Sequence, residues 1–190
     1  QAVGTKDEKI VFTSIHDDSQ GGDTNNNGTT TIPGNNDWGG ISFSLNSKEK
    51  SNILKNCMIA YSSQSYVDGS YADSPLAFSS CGGVVDSVSI SFSNNHGIAV
   101  FGDANPAIKN TIFNNISKAP VYLDLFSNPT FGDNISLSNV GYTALYVRAG
   151  VIDGVVPKRS FAGYNPITYI TDYTLTVNNE VTVPAGLTFK

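Results

Sequence analysis

The chain is poor in charge. Only 14% of its 190 residues are Asp, Glu, Lys or Arg, and just two are arginines, Arg148 and Arg159. Nucleic-acid binders carry a basic stripe, and a net charge of −5 argues against such a partner. No apolar run approaches the roughly 20 residues that span a bilayer, so membrane insertion is not expected. Glu, Lys, Leu and Ala form no periodic block, which argues against a helical fold. No leader is visible, since Gln1 is followed by Ala-Val-Gly-Thr-Lys-Asp. An exported protein would be present here as a mature chain or an excised piece. Cysteine is scarce as well. Cys57 and Cys81 leave the redox compartment open, with a buried thiol and a disulfide both compatible with the apolar run around Cys57.

What remains is apolar and small-polar. Hydrophobic residues make up 39% of the chain, which excludes a disordered polymer. The length suits one domain with a real core, over 1–190. Ser, Thr, Asn and Gly replace the missing charge, a mix suited to strands and turns and common in secreted and surface proteins.

The apolar runs repeat. "ILKNCMIAYSS" (53–63) aligns with "AIKNTIFNNIS" (107–117) on a shared Lys-Asn pair. "VSISFSNN" (88–95) fits the same frame through its Asn-Asn, and "FGDNISLSN" (131–139) is a looser copy. In this frame Asn95, Asn115 and Asn139 follow one another at 20 and 24 residues. A second short strand follows each unit: "GIAVF", "PVYLDLF" and "ALYV". Such units read as coils of a parallel β-solenoid. Single coils cannot bury an apolar face, but coils stacked roughly 4.8 Å apart can. Asn side chains in register then form ladders. The frame places Leu54, Met58, Val88, Phe92, Ile108 and Ile112 in the core. An antiparallel β-sandwich is the alternative, and the near absence of Asn-Gly hairpin signals favours the solenoid. Residues 14–37 read as a long Asp/Asn/Gly-rich loop insertion, 149–164 as an irregular excursion and 173–190 as strand.

"KIVFTS", "DDSQGGDTNNNG", "NDWGGISF" and the coil frames "IKNTIFNN" and "SISFSNNHGIAV" carry a resemblance. The sequence resembles the secreted bacterial right-handed parallel β-helix proteins of the pectate-lyase-like superfamily. The resemblance covers most of the chain. It implies an all-β, right-handed parallel β-helix at an extracellular or cell-surface location. It says little about activity, because the family includes lyases, hydrolases, adhesins and stalks. In that family a segment like "VTVPAGLTF" precedes one like "AVGTKDEKIVFTS". Here the first lies at 181–189 and the second at 2–14. The resemblance therefore implies one period of a tandem or polymerising array. Val181, Val183, Leu187 and Phe189 would meet Val3 and Ile10 of the next unit.

Within the insertion, Asp23-Thr24-Asn25-Asn26-Asn27-Gly28 matches the first half of a calcium loop. Calcium takes about six to eight hard oxygens, and Asp23, Asn25 and Asn27 alternate to offer three. The usual acidic closing residue is replaced by Gly34, so Asp17, Asp18 or Asp37 must complete the set. Asn and Gly also make turns without any metal. His16 can flank this loop.

A catalytic constellation is not legible. Asp86, Asp103, Asp124 and Asp133 fall one per coil, without a paired carboxylate. Arg148, Arg159 and His96 read as solvated, and Trp38 as closing the core under the loop rather than stacking a sugar. The expectation is a non-catalytic, calcium-stabilised structural or adhesive module that assembles with copies of itself. The alternative is a carbohydrate-active or carbohydrate-binding β-helix acting on extracellular polysaccharide, which a cleft of three or more acidic or aromatic residues would favour.

Overall fold

The computed structural model describes residues 1–48 and 51–190. It is all-β, with no α-helix among the described residues. The chain alternates between two parallel sheets. The first collects Ala2–Val3, Ile10–Phe12, Ile53–Ala60, Val84–Ser93, Ala107–Lys109, Ile112–Ile116, Thr130–Phe131 and Ser136–Val140. The second stacks Ile41–Phe43, Leu76–Ser79, Ile98–Phe101, Val121–Leu123, Leu145–Val147 and Tyr169–Ile170 in that order. All pairings in both are parallel and follow chain order, a topology compatible with a β-solenoid. Leu76, Ile98, Val121, Leu145 and Tyr169 are successive partners, so one pass takes 22 to 24 residues. A third, two-stranded parallel sheet joins Gly150–Val155 to Leu175–Thr182.

This pattern excludes the antiparallel sandwich. Among the described residues, the one antiparallel strand pair is a hairpin, Ser65–Val67 against Ser70–Ala72. Asp68 and Gly69 turn it at φ 48° and 83°, the left-handed pair that a two-residue hairpin needs.

Positive-φ residues mark the bends, pass after pass. Asn56, Ser87, Asn110 and Asn134 lie at one bend with φ between 49° and 59°. Tyr61, Phe92, Asn115 and Asn139 lie at the other, with φ between 51° and 62°. Asn tolerates this conformation because its short amide bonds locally. The amides also bond along the stack: Asn134 Nδ2 donates to Asn110 Oδ1 at 3.1 Å, and Asn110 Nδ2 to Asp86 Oδ1 at 2.8 Å. Asn139 donates likewise to Asn115. Tyr61 and Phe92 take the position with larger side chains, and their rings stack at 4.7 Å and 7°.

These bends correct the expected core. Leu54, Val88 and Ile108 are buried, but Ile112 is 46% exposed and Met58 and Phe92 are half-buried. The left-handed residue at Asn110 interrupts the period of two. Ile108, Thr111 and Phe113 point inward and Ile112 points out. The expected equivalence of Asn95 and Asn115 also shifts: Asn115 follows Asn114, which pairs with Ser91, so it is level with Phe92.

The core is a set of columns. Ile59, Ile90 and Phe113 form one, and Phe78, Val100, Leu123 and Val147 another, all fully buried. The outer face of the second sheet is covered too. Ala77 and Ala99 lie under the hairpin residues Val67 and Ala72, with Tyr122 and Tyr146 continuing the same cluster. Gly97 enters this sheet where a Cβ would lie 2.6 Å from Phe113 and from the Pro120 carbonyl, so only glycine fits.

Candidate functional site

The polar insertion, residues 14–37, carries no strand. Asp23 folds its loop: its carboxylate accepts Asn27 N at 3.1 Å and Gly28 N at 2.8 Å. Asn25 Oδ1 accepts Asn27 N at 3.3 Å, and Asn25 Nδ2 ties the loop to Ile15 O at 3.2 Å. Asp23, Asn25 and Asn27 are therefore brought together. The outer carboxylates have separate duties. Buried Asp17 accepts the Thr13 and Ser19 hydroxyls, each at 2.6 Å. Asp37 Oδ2 accepts Ser14 Oγ at 2.5 Å and Gly34 N at 2.8 Å and lies 3.3 Å from His16 Nδ1. Burial raises the Asp37 pKa, but these hydrogen bonds and the His16 ring outweigh it and hold the carboxyl low. Among the described residues, no three His, Cys, Asp or Glu side chains gather closely enough to hold a metal. Two buried oxygens of the insertion, Asp18 Oδ1 and Asn27 Oδ1, have no hydrogen-bond partner.

A second constellation lies at the third side of the chain's path. Arg148 follows the strand Leu145–Val147, and its guanidinium lies 4.6 Å from the centroid of the Phe101 ring. Its Nη1 is 3.9 Å from Asp124 Oδ1, and Asp124 Oδ2 accepts Gly102 N at 2.8 Å. Asp103, Asp124, Phe126 and Arg148 line one open groove of about 440 Å³, with residues 149–152 as its far wall. Arg148 also borders a smaller hollow of about 120 Å³ with Asp68 and the exposed Tyr71. In the sequence these carboxylates fall one per coil, far apart along the chain. The signal was available: Asp124 and Arg148 stand 24 residues apart, one full pass, so they stack.

Two residues expected in solvent are buried. Arg159 is 7% exposed and donates to Tyr169 Oη at 2.7 Å, Leu125 O at 3.0 Å and Ser127 O at 2.5 Å. His96 is 2% exposed, its ring 4.6 Å from that of Tyr122 and 4.7 Å from that of Tyr146. Burial, and then the charge of Lys118, push the His96 pKa down to about 3, against the charge of Asp172, and Nδ1 accepts the Ala119 N–H, a bond that only the neutral ring can take. Burial first, then the charge of Tyr173, pushes the Tyr122 hydroxyl up to about 12. Trp38 is half-buried against the core, and its indole donates to Ala60 O at 2.7 Å. Cys57 is a buried thiol whose pKa burial raises, and Cys81 is buried as well.

The expected assembly residues divide. Val181, Leu187, Phe189 and Ile10 pack half-buried on the core, and Val3 and Val183 are each 52% exposed. Phe189 stacks on Tyr169 at 5.2 Å and pairs beside it as a parallel bridge within the chain. No protein-family model, no curated protein and no solved structure matches the chain.

Proposed function

We propose that the chain is a right-handed parallel β-helix module of an extracellular or cell-surface structure, non-catalytic and structural or adhesive in role, that stacks end to end on coils of its own kind. One observation carries this reading. Among the described residues, the outermost strands Ala2–Val3, Ile10–Phe12 and Ile41–Phe43 each pair on one side only, above half-buried Ala2, Ile10, Phe12, Ile41 and Phe43. Their inner neighbours Leu54, Cys57, Ile59, Leu76 and Phe78 are at most 2% exposed. One further parallel coil would pair these edges and complete the core. A neighbouring copy and an adjoining stretch of polypeptide are both coils of the required kind. Ile41 N donates inward to Pro75 O, so the N–H of Ser42 points to the open edge. Ser42→Pro removes that donor and leaves the inner bond. Sedimentation should show concentration-dependent, fibre-like growth of the native chain and loss of it in Ser42→Pro. A native chain that stays monomeric at high concentration would refute assembly between copies.

We propose further that the insertion holds Ca²⁺. Asp18 Oδ1 and Asn27 Oδ1 support this, as buried oxygens with unused acceptor capacity. Asp23 and Asn25, already gathered beside Asn27, would complete the near side through their remaining lone pairs. Asp17 and Asp37 would serve behind them, holding the surrounding hydroxyls and backbone. The ion would supply charge that ties the loop.

The groove of Asp103, Asp124, Phe126 and Arg148 favours a second reading, a carbohydrate-binding module, since acids and aromatics share one cleft. Saturable binding of a neutral hexasaccharide, lost in Arg148→Ala, would establish it.

A further inference from the structure

The groove beside Arg148 has a wall made of unpaired backbone. Among the described residues, strand Gly150–Val155 pairs along one edge only, with Leu175–Thr182. Its other edge faces the preceding pass of the chain, where residues 124–127 form the opposite wall. Arg148 N reaches Leu123 O at 2.9 Å at the mouth of this space. Beyond it, among the described residues, no backbone hydrogen bond crosses between the walls. In a parallel pair only alternate residues turn their N–H and C=O toward the partner. The others in Gly150–Ile152, the part of the strand that lines the groove and precedes its register shift, therefore turn theirs to the groove.

Three further observations describe what this edge accepts. Parallel strands normally stand in sheets covered on both faces, and a two-stranded parallel sheet is short of neighbours. This one leaves Val151 and Val155 57% and 63% exposed. The groove floor carries half-buried Phe126 and Ile152, an apolar seat for one side chain. The rim carries Asp103 and Asp124 against one cation, Arg148.

We propose that the free edge of Gly150–Val155 is a docking strip for an extended basic peptide segment, which adds to it as a third strand. Main-chain bonds to the edge supply affinity, and alternate side chains supply selectivity. An apolar side chain of the segment sits over Phe126 and Ile152, and Lys or Arg lies beside Asp103 and Asp124. A saccharide fits the acids and aromatics but lacks the regular donor and acceptor repeat that a strand edge presents. The proposal depends on neither end-to-end stacking nor calcium.

The test uses the full chain and the fluorescently labelled peptide acetyl-Lys-Val-Lys-Val-Lys-Val-amide, followed by anisotropy. Saturable binding with Kd below about 1 mM is expected. Methylating alternate backbone nitrogens of the peptide should abolish it, which needs no change in the protein. Asp103→Asn, at an exposed position whose φ of 60° Asn accepts, should weaken binding about two- to fivefold, as loss of one exposed charge pair does. No saturation below about 1 mM, equal binding of the methylated peptide, or full affinity in Asp103→Asn would each overturn the proposal. Displacement of the peptide by a neutral hexasaccharide would overturn it in favour of sugar binding. Self-association of the chain that excludes the peptide would overturn it in favour of a second copy.

Discussion

His96 should make the protein acid-sensitive well above the carboxylate range. Its ring is enclosed by Tyr122 and Tyr146, and its Nδ1 accepts the Ala119 N–H at 3.3 Å, so the folded state holds it neutral. Its pKa falls from 6.5 in the unfolded chain to about 3 in the folded one. Below pH 6.5 the unfolded chain takes up a proton that the folded chain refuses. Stability is therefore complete above 6.5 and declines as pH falls toward 3. Between about pH 7.5 and pH 5 the loss from this one group is about 2 kcal/mol, from 1.36 kcal/mol per pH unit. For a chain of this size that lowers Tm by about 4–8 °C. The window ends above 3.8, the ordinary value of the Asp37 and Asp86 carboxyls, which are both held lower still. Calorimetry across this window would measure the shift. His96→Gln keeps an acceptor for Ala119 but does not titrate. Its absolute stability will drop with the lost ring stacking, but its stability should change about 2 kcal/mol less across the window than that of the native chain. Parallel pH profiles of the two proteins would refute the reasoning.

The columns predict a contrast between neighbours: Ile90→Ala, in a fully buried column, should cost about 2–5 kcal/mol, and Ile112→Ala, half exposed, below about 1 kcal/mol in urea unfolding. Asn110→Ala should cost about 1–2 kcal/mol through its left-handed φ and lost amide bonds, and Asn110→Gly, which relieves the φ, should cost less. An equal cost would place the whole effect in the amide ladder. Saturating Ca²⁺, at about 100 times its Kd, should raise stability by about 2.7 kcal/mol and chelator should remove the gain. Asp18→Asn should abolish that response, and identical melting with and without chelator would refute the metal site.

The parallel architecture was legible because its signal is repeated. "ILKN" and "AIKN" do fall in the same column, two passes apart, with Leu54 and Ile108 both level with Val85. Periodicity failed at the bends. A single left-handed residue inside an apolar run reverses which side chains face inward, and no composition marks it when the residue is Ser87 or Phe92 rather than Asn. The hairpin was written in the chain as Tyr-Val-Asp-Gly-Ser-Tyr, a strong local signal obscured by the expectation that such turns are scarce. The burial of His96 and Arg159 was not legible, because it depends on tyrosines one and two passes away for the first and on carbonyls 32 and 34 residues away for the second. The groove of Asp103, Asp124 and Arg148 needed the true pass length, which the amide spacing of 20 residues had understated.

The stacked parallel strands also determine how the molecule bears load. The hydrogen bonds between strands run across the strands, from one pass to the next. Tension applied in that direction reaches each interface in series, so the structure is as strong as its least-bonded step and yields by peeling one pass at a time. The seven-residue registry between Ile53–Ala60 and Val84–Ser93 makes a strong step. The two-residue registry between Leu145–Val147 and Tyr169–Ile170 makes a weak one in its sheet. There the Arg159 guanidinium, bonded to the Tyr169 hydroxyl and to carbonyls of the pass before, acts as a rivet across the seam. Extension of a tethered molecule should begin at this seam, and at lower force once the rivet is removed.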